Sequence, residues 1–381
     1  MNSTRHWLDG LKLRASYGVI GNQNINPYTF TPSMSVNNKA TSWIIDDTYV
    51  TSISSLPALV SQNFTWEKVG TINVGLDVNL FNNRLSGVFE WYQRNTNGML
   101  APGVQLPAVV GASAPYQNTA DMRTRGWELS LNWRDQIGKV GYRIGFNLSD
   151  YKSEIIKYDD NAATKLLSSY YPGQTLGEIW GYVVDGYYTV DDFVDTSSWQ
   201  LKEGVTSING YNVRPGDVKF KNLRDDDTST NVITSGDNTF DNPGDRKVIG
   251  NTTPRYQYGI NLGMNYAGFD LNVILQGTGK RDYWISNVLT FPMNGDNFVP
   301  LFEGLSDYWM PKDPDNGDWS AVNPNAKYPR IYGNRGNSGS NLRQSDKYLS
   351  DASYLRIKNI TLSYKLPKKW VNQIFPVSYT H

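Results

Sequence analysis

The sequence contains no cysteine and has two histidines, His6 and His381, which lie close to its two ends. The absence of cysteine excludes disulfide bridges, thiolate zinc sites and cysteine nucleophiles. Without an interior histidine, the chain has no material for a Ser-His-Asp triad or a multi-histidine metal site. We therefore expect no enzyme of these kinds, and we expect neither a metal nor a cofactor.

The sequence also lacks an excess of charge and any long apolar run. Its 36 basic and 36 acidic residues give a net charge of +0 without a basic block, so nucleic acid is not an expected partner. Hydrophobic residues make up 39% of the chain, and the mean hydropathy is −0.51. No stretch approaches the roughly 20 apolar residues of a membrane-spanning helix. If the chain crosses a membrane, it must do so with β-strands.

What the sequence does contain is an alternation of apolar and polar residues with a period of two. Between Tyr256 and Tyr266, large apolar residues at even positions alternate with glutamine, glycine and asparagine. Such a pattern predicts a strand with one apolar and one polar face. The same alternation recurs in segments 11–19, 72–80, 85–91, 127–133, 142–148, 269–275 and 355–366. In an outer-membrane barrel the apolar face would contact lipid and the polar face would line a hydrated lumen.

Short turns and long loops connect these strands. We predict tight turns at Asn82-Asn83 and Ala267-Gly268, because asparagine and glycine tolerate the left-handed backbone of such turns. Around Lys358-Asn359 the alternation slips by one residue, which predicts a β-bulge. Long loops are predicted in segments 20–65, 96–123, 151–254 and 280–352, with short strands near 179–189. Loops of such length are unusual in compact soluble domains and typical of the extracellular side of outer-membrane barrels.

Several strings of residues, taken together and in order, carry a family resemblance. They are TWEK at 65–68, GLD at 75–77, FNNRL at 81–85, RGWELSL at 125–131, GDVKF at 216–220, DR at 245–246, IGN at 249–251 and YLRIKNITLSY at 354–364. In this order they resemble the SusC/RagA-type TonB-dependent transporters of Bacteroidota outer membranes.

The resemblance implies an all-β fold, an antiparallel transmembrane β-barrel. In that family the complete barrel has about 22 strands around an N-terminal plug. A SusD-like surface lipoprotein covers it, captures an oligosaccharide or a peptide, and TonB supplies the energy. Residues 1–381 would then be the C-terminal portion of the barrel, with about eight strands and long extracellular loops, and without the plug and the signal peptide. The implied partners are the lipoprotein, TonB, the substrate and outer-membrane lipid.

Aromatic residues in the long loops are the candidate contacts to a substrate or partner. They can be platforms on which sugar rings stack or contacts to a partner protein, or they can simply pack the loops, and the sequence favours neither interpretation. The candidates are Trp180, Tyr182, Tyr187, Tyr188, Trp284 and Trp309.

Other patterns suggest chemistry less strongly. Glu178, Asp185 and Asp217 could form a glycosidase pair, but chance clustering among many acidic residues is the better explanation. The run Asp225–Asp227 lacks the glycine of a calcium loop, so we expect a solvated turn there. The string GTGK at 277–280 departs from a phosphate-binding loop, because Ile274 stands where its first glycine belongs.

The polar faces of the predicted strands supply a wide hydrated wall. Solvation of a channel or contact with a plug explains these side chains better than specific substrate binding. They are Asn73, Asp77, Asn79, Glu90, Glu128, Asn132, Arg143, Asn147, Asn261, Asp270, Asn272 and Gln276.

The leading hypothesis is nutrient import across the outer membrane, with oligosaccharides as the favoured substrates. A secreted all-β protein that binds or degrades carbohydrate is the alternative, and an importer of siderophores or cobalamin is a third possibility. The first two differ in one structural respect. In a soluble protein, Ile260, Leu262 and Leu271 would be covered by other parts of the chain.

Overall fold

Eight long strands form one antiparallel sheet in which each strand pairs with its neighbours in sequence. The computed structural model describes residues 7–23, 31–32, 36–37, 44–45, 48–49, 53–54, 59–61, 65–224, 231–286, 301–332, 339–367 and 370. The strands are β1 (Leu8–Asn22), β2 (Glu67–Leu80), β3 (Leu85–Pro102), β4 (Tyr116–Ile137), β5 (Val140–Tyr158), β6 (Arg255–Tyr266), β7 (Phe269–Lys280) and β8 (Tyr354–Tyr364). The predicted all-β antiparallel architecture, with about eight wall strands, is confirmed.

Shorter elements lie in the loops between these strands. Two-stranded pairings join Val36–Asn37 with Ile53–Ser54, Ile44–Ile45 with Thr48–Tyr49, Glu178–Tyr182 with Arg246–Asn251, Val184–Tyr187 with Val218–Phe220, Ser207–Ile208 with Val232–Ile233, Asp282–Trp284 with Leu349–Asp351, and Pro311–Asp313 with Asp318–Ala321. Single 3-10 turns occur at Ala108–Val110, Asp159–Asn161, Val190–Asp192, Glu303–Leu305, Pro314–Asn316 and Asp346–Tyr348. Within the described residues, none of the helices has the length and apolar character needed to cross a membrane. The short strands predicted near 179–189 are confirmed.

The register of the sheet brings the apolar residues of all eight strands onto one side, which we call the apolar face. Leu13 lies opposite Leu76, and Ile260 lies between Phe146 and Leu275. The opposite side, the polar face, carries the charged and amide side chains. A sheet with this pattern has a fixed register, because a slip of one residue would exchange the two faces.

The apolar face is largely open. Leu13 is 74% exposed and Leu362 is 67% exposed, values that a soluble sheet does not tolerate along a whole face. Leu262 is 38% exposed, and Ile260 and Leu271 are half-buried between their neighbours on the same wall. The soluble alternative requires a second layer of the chain over these three residues. The described part of the chain forms no such layer.

The predicted tight turns are confirmed. Ala267 and Gly268 have φ angles of 51° and 91°, and they connect Tyr266 to Phe269, which pair directly. Two successive positive φ angles define a turn whose twist matches that of the strands it joins. Asn82 and Asn83 also have positive φ angles, at the turn between β2 and β3.

The predicted bulge in β8 is confirmed as well. Asn359 pairs with Ile274 and Ile357 pairs with Leu275, which leaves Lys358 without a partner in the ladder between β7 and β8. The extra residue shifts the side-chain alternation by one. Ile357 and Ile360 therefore both lie on the apolar face despite their odd and even positions.

One predicted loop boundary is wrong. Segment 96–123 is mostly strand, since β3 continues to Pro102 and β4 begins at Tyr116, so the connecting loop covers only 103–115. β5 likewise continues to Tyr158. Beyond the apolar band the residues no longer alternate strictly between apolar and polar, so the sequence pattern that signals a strand disappears although the hydrogen-bond ladder continues.

The core of the molecule lies in the loops. Most of the deeply buried hydrophobic side chains belong to two loop clusters, whereas the wall strands have one face open. The larger cluster consists of Tyr182, Tyr188, Phe193, Ile208, Val213, Val218, Phe220 and Ile233. Two long loops lie at the end of the wall opposite the tight turns. They are therefore folded and have their own hydrophobic packing.

Candidate functional site

Two loops form the candidate site. The first, residues 159–254, connects β5 to β6, and the second, residues 281–353, connects β7 to β8. Both emerge at the end of the wall opposite the tight turns, so they lie next to each other above the sheet. Their contact brings together residues that are far apart in sequence and creates a cleft between them.

A buried carboxylate holds the two loops together. Asp217 of the first loop is 1% exposed. Its carboxylate accepts hydrogen bonds from the backbone N–H of Arg214 at 2.8 Å, the hydroxyl of Tyr332 at 2.6 Å and the side-chain amide of Asn341 at 2.9 Å. The amide oxygen of Asn341 in turn accepts from the backbone N–H of Val218 at 2.8 Å. We call these three side chains, Asp217, Tyr332 and Asn341, the clasp.

Burial and hydrogen bonding act in opposite directions on the clasp carboxylate. Desolvation raises the pKa of Asp217, and the hydrogen bonds from Tyr332 and Asn341 oppose that increase. Burial beside this carboxylate also raises the pKa of Tyr332, so its hydroxyl remains protonated and continues to donate. The clasp therefore makes geometrically specific contacts between the loops at the cost of a buried charge.

Backbone and ring contacts reinforce the clasp. The backbone N–H of Arg330 donates to the carbonyl of Gly216 at 2.8 Å. The guanidinium of Arg330 lies 5.1 Å from the ring centre of Trp319 and 5.0 Å from that of Tyr332. Trp309 packs directly against Gly216, whose φ of 90° and lack of a Cβ permit this approach.

Beside the clasp, the two loops enclose a cleft of about 690 Å³. Its walls include the rings of Tyr187, Trp309 and Trp319 and the carboxylates of Asp185 and Asp191. Aromatic rings with a few polar groups are the usual lining of a small-molecule or sugar-binding site. Among its aromatic residues, this cleft combines two that were singled out in the sequence, Tyr187 and Trp309, with one that was not, Trp319.

Tyr187 forms part of the cleft wall and also fixes it. Its hydroxyl donates to the carbonyl of Ala326 at 3.0 Å, and the ammonium of Lys347 lies 4.6 Å from its ring centre. Burial raises the pKa of Tyr187 and lowers that of Lys347. The hydroxyl thus links the first loop to the second.

The other predicted aromatic residues lie in packed positions. Tyr182 and Tyr188 belong to the large loop cluster, at 6% and 0% exposure. Trp284 packs against the smaller cluster of the second loop. Trp180 donates from its indole nitrogen to Glu178 at 2.9 Å and to Tyr171 at 3.2 Å. Only Tyr187 and Trp309 of the predicted set line the cleft, and ligand contact by any of the set stays a prediction.

Two of the predicted carboxylates, Glu178 and Asp217, are committed to structural hydrogen bonds. Glu178 accepts from the hydroxyl of Tyr171, which is buried, and from the backbone N–H of Thr175 at 3.3 Å. Asp217 is enclosed in the clasp, and Asp185 lies 3.9 Å from Lys221. Among the described residues no group of three or more His, Asp or Glu side chains is arranged to hold a metal. Asp225–Asp227, His6 and His381 lie outside the described residues.

The polar face contains charged pairs that cross several strands. Arg14 of β1 binds Asp77 of β2 at 2.8 Å and Glu90 of β3 at 2.7 Å. Arg143 of β5 lies 3.4 Å from Asp270 of β7, over the backbone of Gly263. These pairs are partly exposed, so each contributes little to stability, but together they make this side of the wall polar throughout.

Comparisons with known proteins agree with the sequence resemblance. No protein-family profile matches the chain. It is 27% identical over 377 residues to TonB-dependent receptor P3 of Formosa agariphila, covering 95% of this chain and 33% of that protein. It is 25% identical over 379 residues to TonB-dependent receptor SusC of Bacteroides thetaiotaomicron, covering 97% of this chain and 33% of that protein.

Solved structures show the same fold. The chain superimposes on the structure of the RagAB peptide transporter with a TM-score of 0.66 at 23% identity, covering 96% of this chain and 35% of that one. With the RagAB peptide importer in the open-open state the TM-score is 0.68, again at 23% identity, with 96% and 34% coverage. The chain spans about a third of the length of these proteins. The predicted resemblance to SusC/RagA-type TonB-dependent receptors is confirmed, and the chain has the barrel-type fold of the matching part of the RagAB structures.

Proposed function

We propose that this chain forms part of the wall and mouth of an outer-membrane, TonB-dependent nutrient importer. In this proposal residues 1–381 are the C-terminal portion of a larger barrel that also holds a plug. The chain itself breaks no bond in the substrate. Its contribution is a closed path through the membrane and a set of loops that contact the substrate at the entrance.

The observation that carries the proposal is the open apolar face. Eight neighbouring strands present apolar side chains on one side, with Leu13, Ile360 and Leu362 at 60% exposure or more, and polar side chains on the other. Such a wall is stable only when the apolar side contacts an apolar medium and the polar side contacts water or a polar partner. Outer-membrane lipid meets the first requirement, and a hydrated lumen with a plug meets the second.

The polar face supports a role as the surface around a plug. Its charges are partly compensated across strands, as in the contact of Arg14 with Asp77 and Glu90. A face that is hydrated and internally paired permits a neighbouring plug to move, because no large apolar contact has to be broken. In TonB-dependent import, pulling on the plug from the periplasm would then open the path.

The cleft between the two loops is the proposed substrate contact within this chain. Tyr187 and Trp319, both half-buried, offer ring surface beside the buried Trp309, and Asp185 and Asp191 offer hydrogen-bond acceptors. This combination suits the ring faces and hydroxyl groups of an oligosaccharide, and acceptors of this kind also suit the N–H groups of a peptide. A SusD-like lipoprotein lid over the loops would close the cleft.

The proposal is tested with the whole protein in its native host. Cells that carry the protein should accumulate a fluorescent substrate, an oligosaccharide or a peptide, and should lose this uptake when TonB is removed. A protein that is extracted without detergent as a monomer, with the same gel mobility before and after boiling, would contradict the proposal. That result would favour the secreted carbohydrate-binding alternative instead.

A further inference from the structure

A pair of like charges lies on the apolar side of the wall, immediately beyond its aromatic rings. On β3 and β4, Trp91 pairs directly with Trp127. Two residues further towards the loops, Arg125 of β4 pairs directly with Lys152 of β5. Both side chains are exposed.

Contacts on the two faces establish which way these side chains point. The Nε of Arg125 donates to Gln93 at 2.8 Å, and Gln93 follows Trp91 by two residues on β3. The adjacent hydroxyls of Thr124 and Ser153 meet at 2.8 Å on the polar face. Because side chains alternate along a strand, Arg125 and Lys152 project on the same side as the tryptophans.

The rows on either side of this pair are electrically balanced. In the row nearer the membrane, Asp150 is 7% exposed and is bound by Arg255, through Nε and, at 2.5 Å, through a terminal nitrogen. In the row further out, Arg123 lies directly opposite Glu154. Within the described residues, neither acidic residue forms an ion pair with Arg125 or Lys152.

The two positive charges of Arg125 and Lys152 are not neutralised by acidic side chains of the described wall. Within the described residues neither side chain forms an ion pair, and Arg125 uses only its Nε in a hydrogen bond. Like charges directly opposite each other on neighbouring strands destabilise a sheet. An anion between them would remove this repulsion, and a guanidinium beside an ammonium is well suited to phosphate.

We propose that Arg125 and Lys152 bind the phosphate of a lipid headgroup in the leaflet that surrounds the loop end of the wall. Tryptophans of transmembrane barrels lie at the boundary between hydrocarbon and headgroups, and this pair lies one row beyond Trp91 and Trp127. Its position at the rim of an apolar face distinguishes a lipid phosphate from free phosphate, because only the lipid also contacts the apolar side chains below. The proposal goes beyond import and requires only that the wall spans a membrane.

The test measures lipid binding to the whole detergent-purified protein by native mass spectrometry. The probes are phosphorylated lipid A and the same lipid after removal of its phosphate. Each basic residue near a membrane surface contributes about 1 kcal/mol, so the double variant R125Q/K152Q should bind the phosphorylated lipid roughly 30-fold more weakly. Binding of the dephosphorylated lipid should be unchanged.

Three further arms distinguish charge from fold and lipid from ion. The charge-preserving exchange R125K/K152R should retain binding, and K157Q should retain it because Lys157 is already paired with Asp159 at 2.9 Å. Should the double variant not fold, R125Q and K152Q alone should each cause a partial loss. Equal binding of both lipids, or unchanged binding by R125Q/K152Q, overturns the proposal. Displacement of the lipid by millimolar inorganic phosphate would assign the pair to free anions and overturn it too.

Discussion

The hydroxyl of Tyr332 donates a 2.6 Å hydrogen bond to the carboxylate of Asp217, a residue 115 positions earlier in the chain. This contact joins two loops that are separated in the chain by the hairpin of β6 and β7. It orients the backbone next to Gly216, on which Trp309 packs, and so determines the shape of the cleft.

Removing the clasp carboxylate should loosen both loops. In D217N the new side chain has only one acceptor oxygen, and its NH2 group replaces the other. At least one of the buried donors that bind Asp217 would therefore lose its acceptor, at a cost of about 1–3 kcal/mol. Amide hydrogen exchange at Arg214 and Val218 should then accelerate roughly tenfold or more, because both N–H groups donate within the clasp. The control is Y283F, since Tyr283 is 48% exposed and lies outside the clasp. Unchanged exchange in D217N would show that the clasp does not hold the loops.

The same carboxylate should make the loop contact sensitive to pH. Burial raises the pKa of folded Asp217 above its ordinary value of 3.8, despite the opposing Tyr332 and Asn341 hydrogen bonds and the nearby charge of Arg330. Between these two pKa values the folded loops bind more protons than the unfolded ones. Stability of the contact should therefore be greatest below pH 3.8 and fall as the pH rises through the folded pKa. Exchange at Val218, corrected for intrinsic rates, should show this trend in the wild type and lose it in D217N.

Charge on the apolar face should be costly at mid-height and tolerated on the other face. We expect L131R or L262R to destabilise the folded barrel by about 2–4 kcal/mol if the site lies at the bilayer midplane. N132R and N261R, one residue away on the polar face, should be nearly neutral. Equilibrium unfolding of the whole protein in lipid vesicles measures the difference. Near-neutral values for both leucine variants would contradict the assignment of the lipid-facing side.

The bulge in β8 permits a deletion that an ordinary strand position does not. Lys358 has no partner opposite it, while Asn359 and Ile357 pair with consecutive residues of β7. Deleting Lys358 should therefore give a regular strand with Leu355 and Ile357 still on the apolar face. Thr361 pairs with Asn272, so its deletion should move the side chains on one side of the deletion to the opposite face of the sheet and abolish assembly. Heat-modifiable gel mobility of membrane fractions reports assembly, and equal yields from both deletions would argue against the bulge.

The sequence predicts the wall well because each strand carries its own signal. Alternation, turn residues and a phase slip are local patterns, and the bulge at Lys358 follows from three neighbouring positions. The extension of β3 to Pro102 has no such signal, because strict alternation of apolar and polar residues ends beyond the apolar band. Pairing with β4 determines where β3 ends. The sequence of β3 alone does not reveal this pairing.

The site is less predictable, because its contacts are long-range. Asp217 and Asn341 lie 124 positions apart, and nothing in the local sequence of either indicates the other. Aromatic content identified Tyr187 and Trp309 as candidates but did not separate cleft walls from packed cores. Trp319 was missed although it is also a loop tryptophan. Its spacing of ten residues from Trp309, across a turn rich in aspartate and asparagine, was the available signal.

The two tryptophans of the cleft should respond differently to substitution. Trp309 is 4% exposed and packs on Gly216, so W309A should accelerate amide exchange throughout both loops. Trp319 is half-buried, with Trp199 at 4.9 Å between ring centres and Arg330 beside it, and it presents the rest of its ring to the cleft. W319A should weaken substrate binding by about 1 kcal/mol, roughly fivefold, and W319F should recover most of the loss because a ring face is kept.

Binding of a transported oligosaccharide or peptide to the whole protein, followed by calorimetry, separates these effects. The control is F302A, because Phe302 is 39% exposed on the same loop and is not part of the cleft wall. Affinity should fall for W319A and stay unchanged for F302A, and exchange rates in the clasp should remain at wild-type values for F302A. If W319A binds substrate as tightly as the wild type with its loops intact, the cleft is a product of loop packing and substrate contact must be sought elsewhere in the mouth.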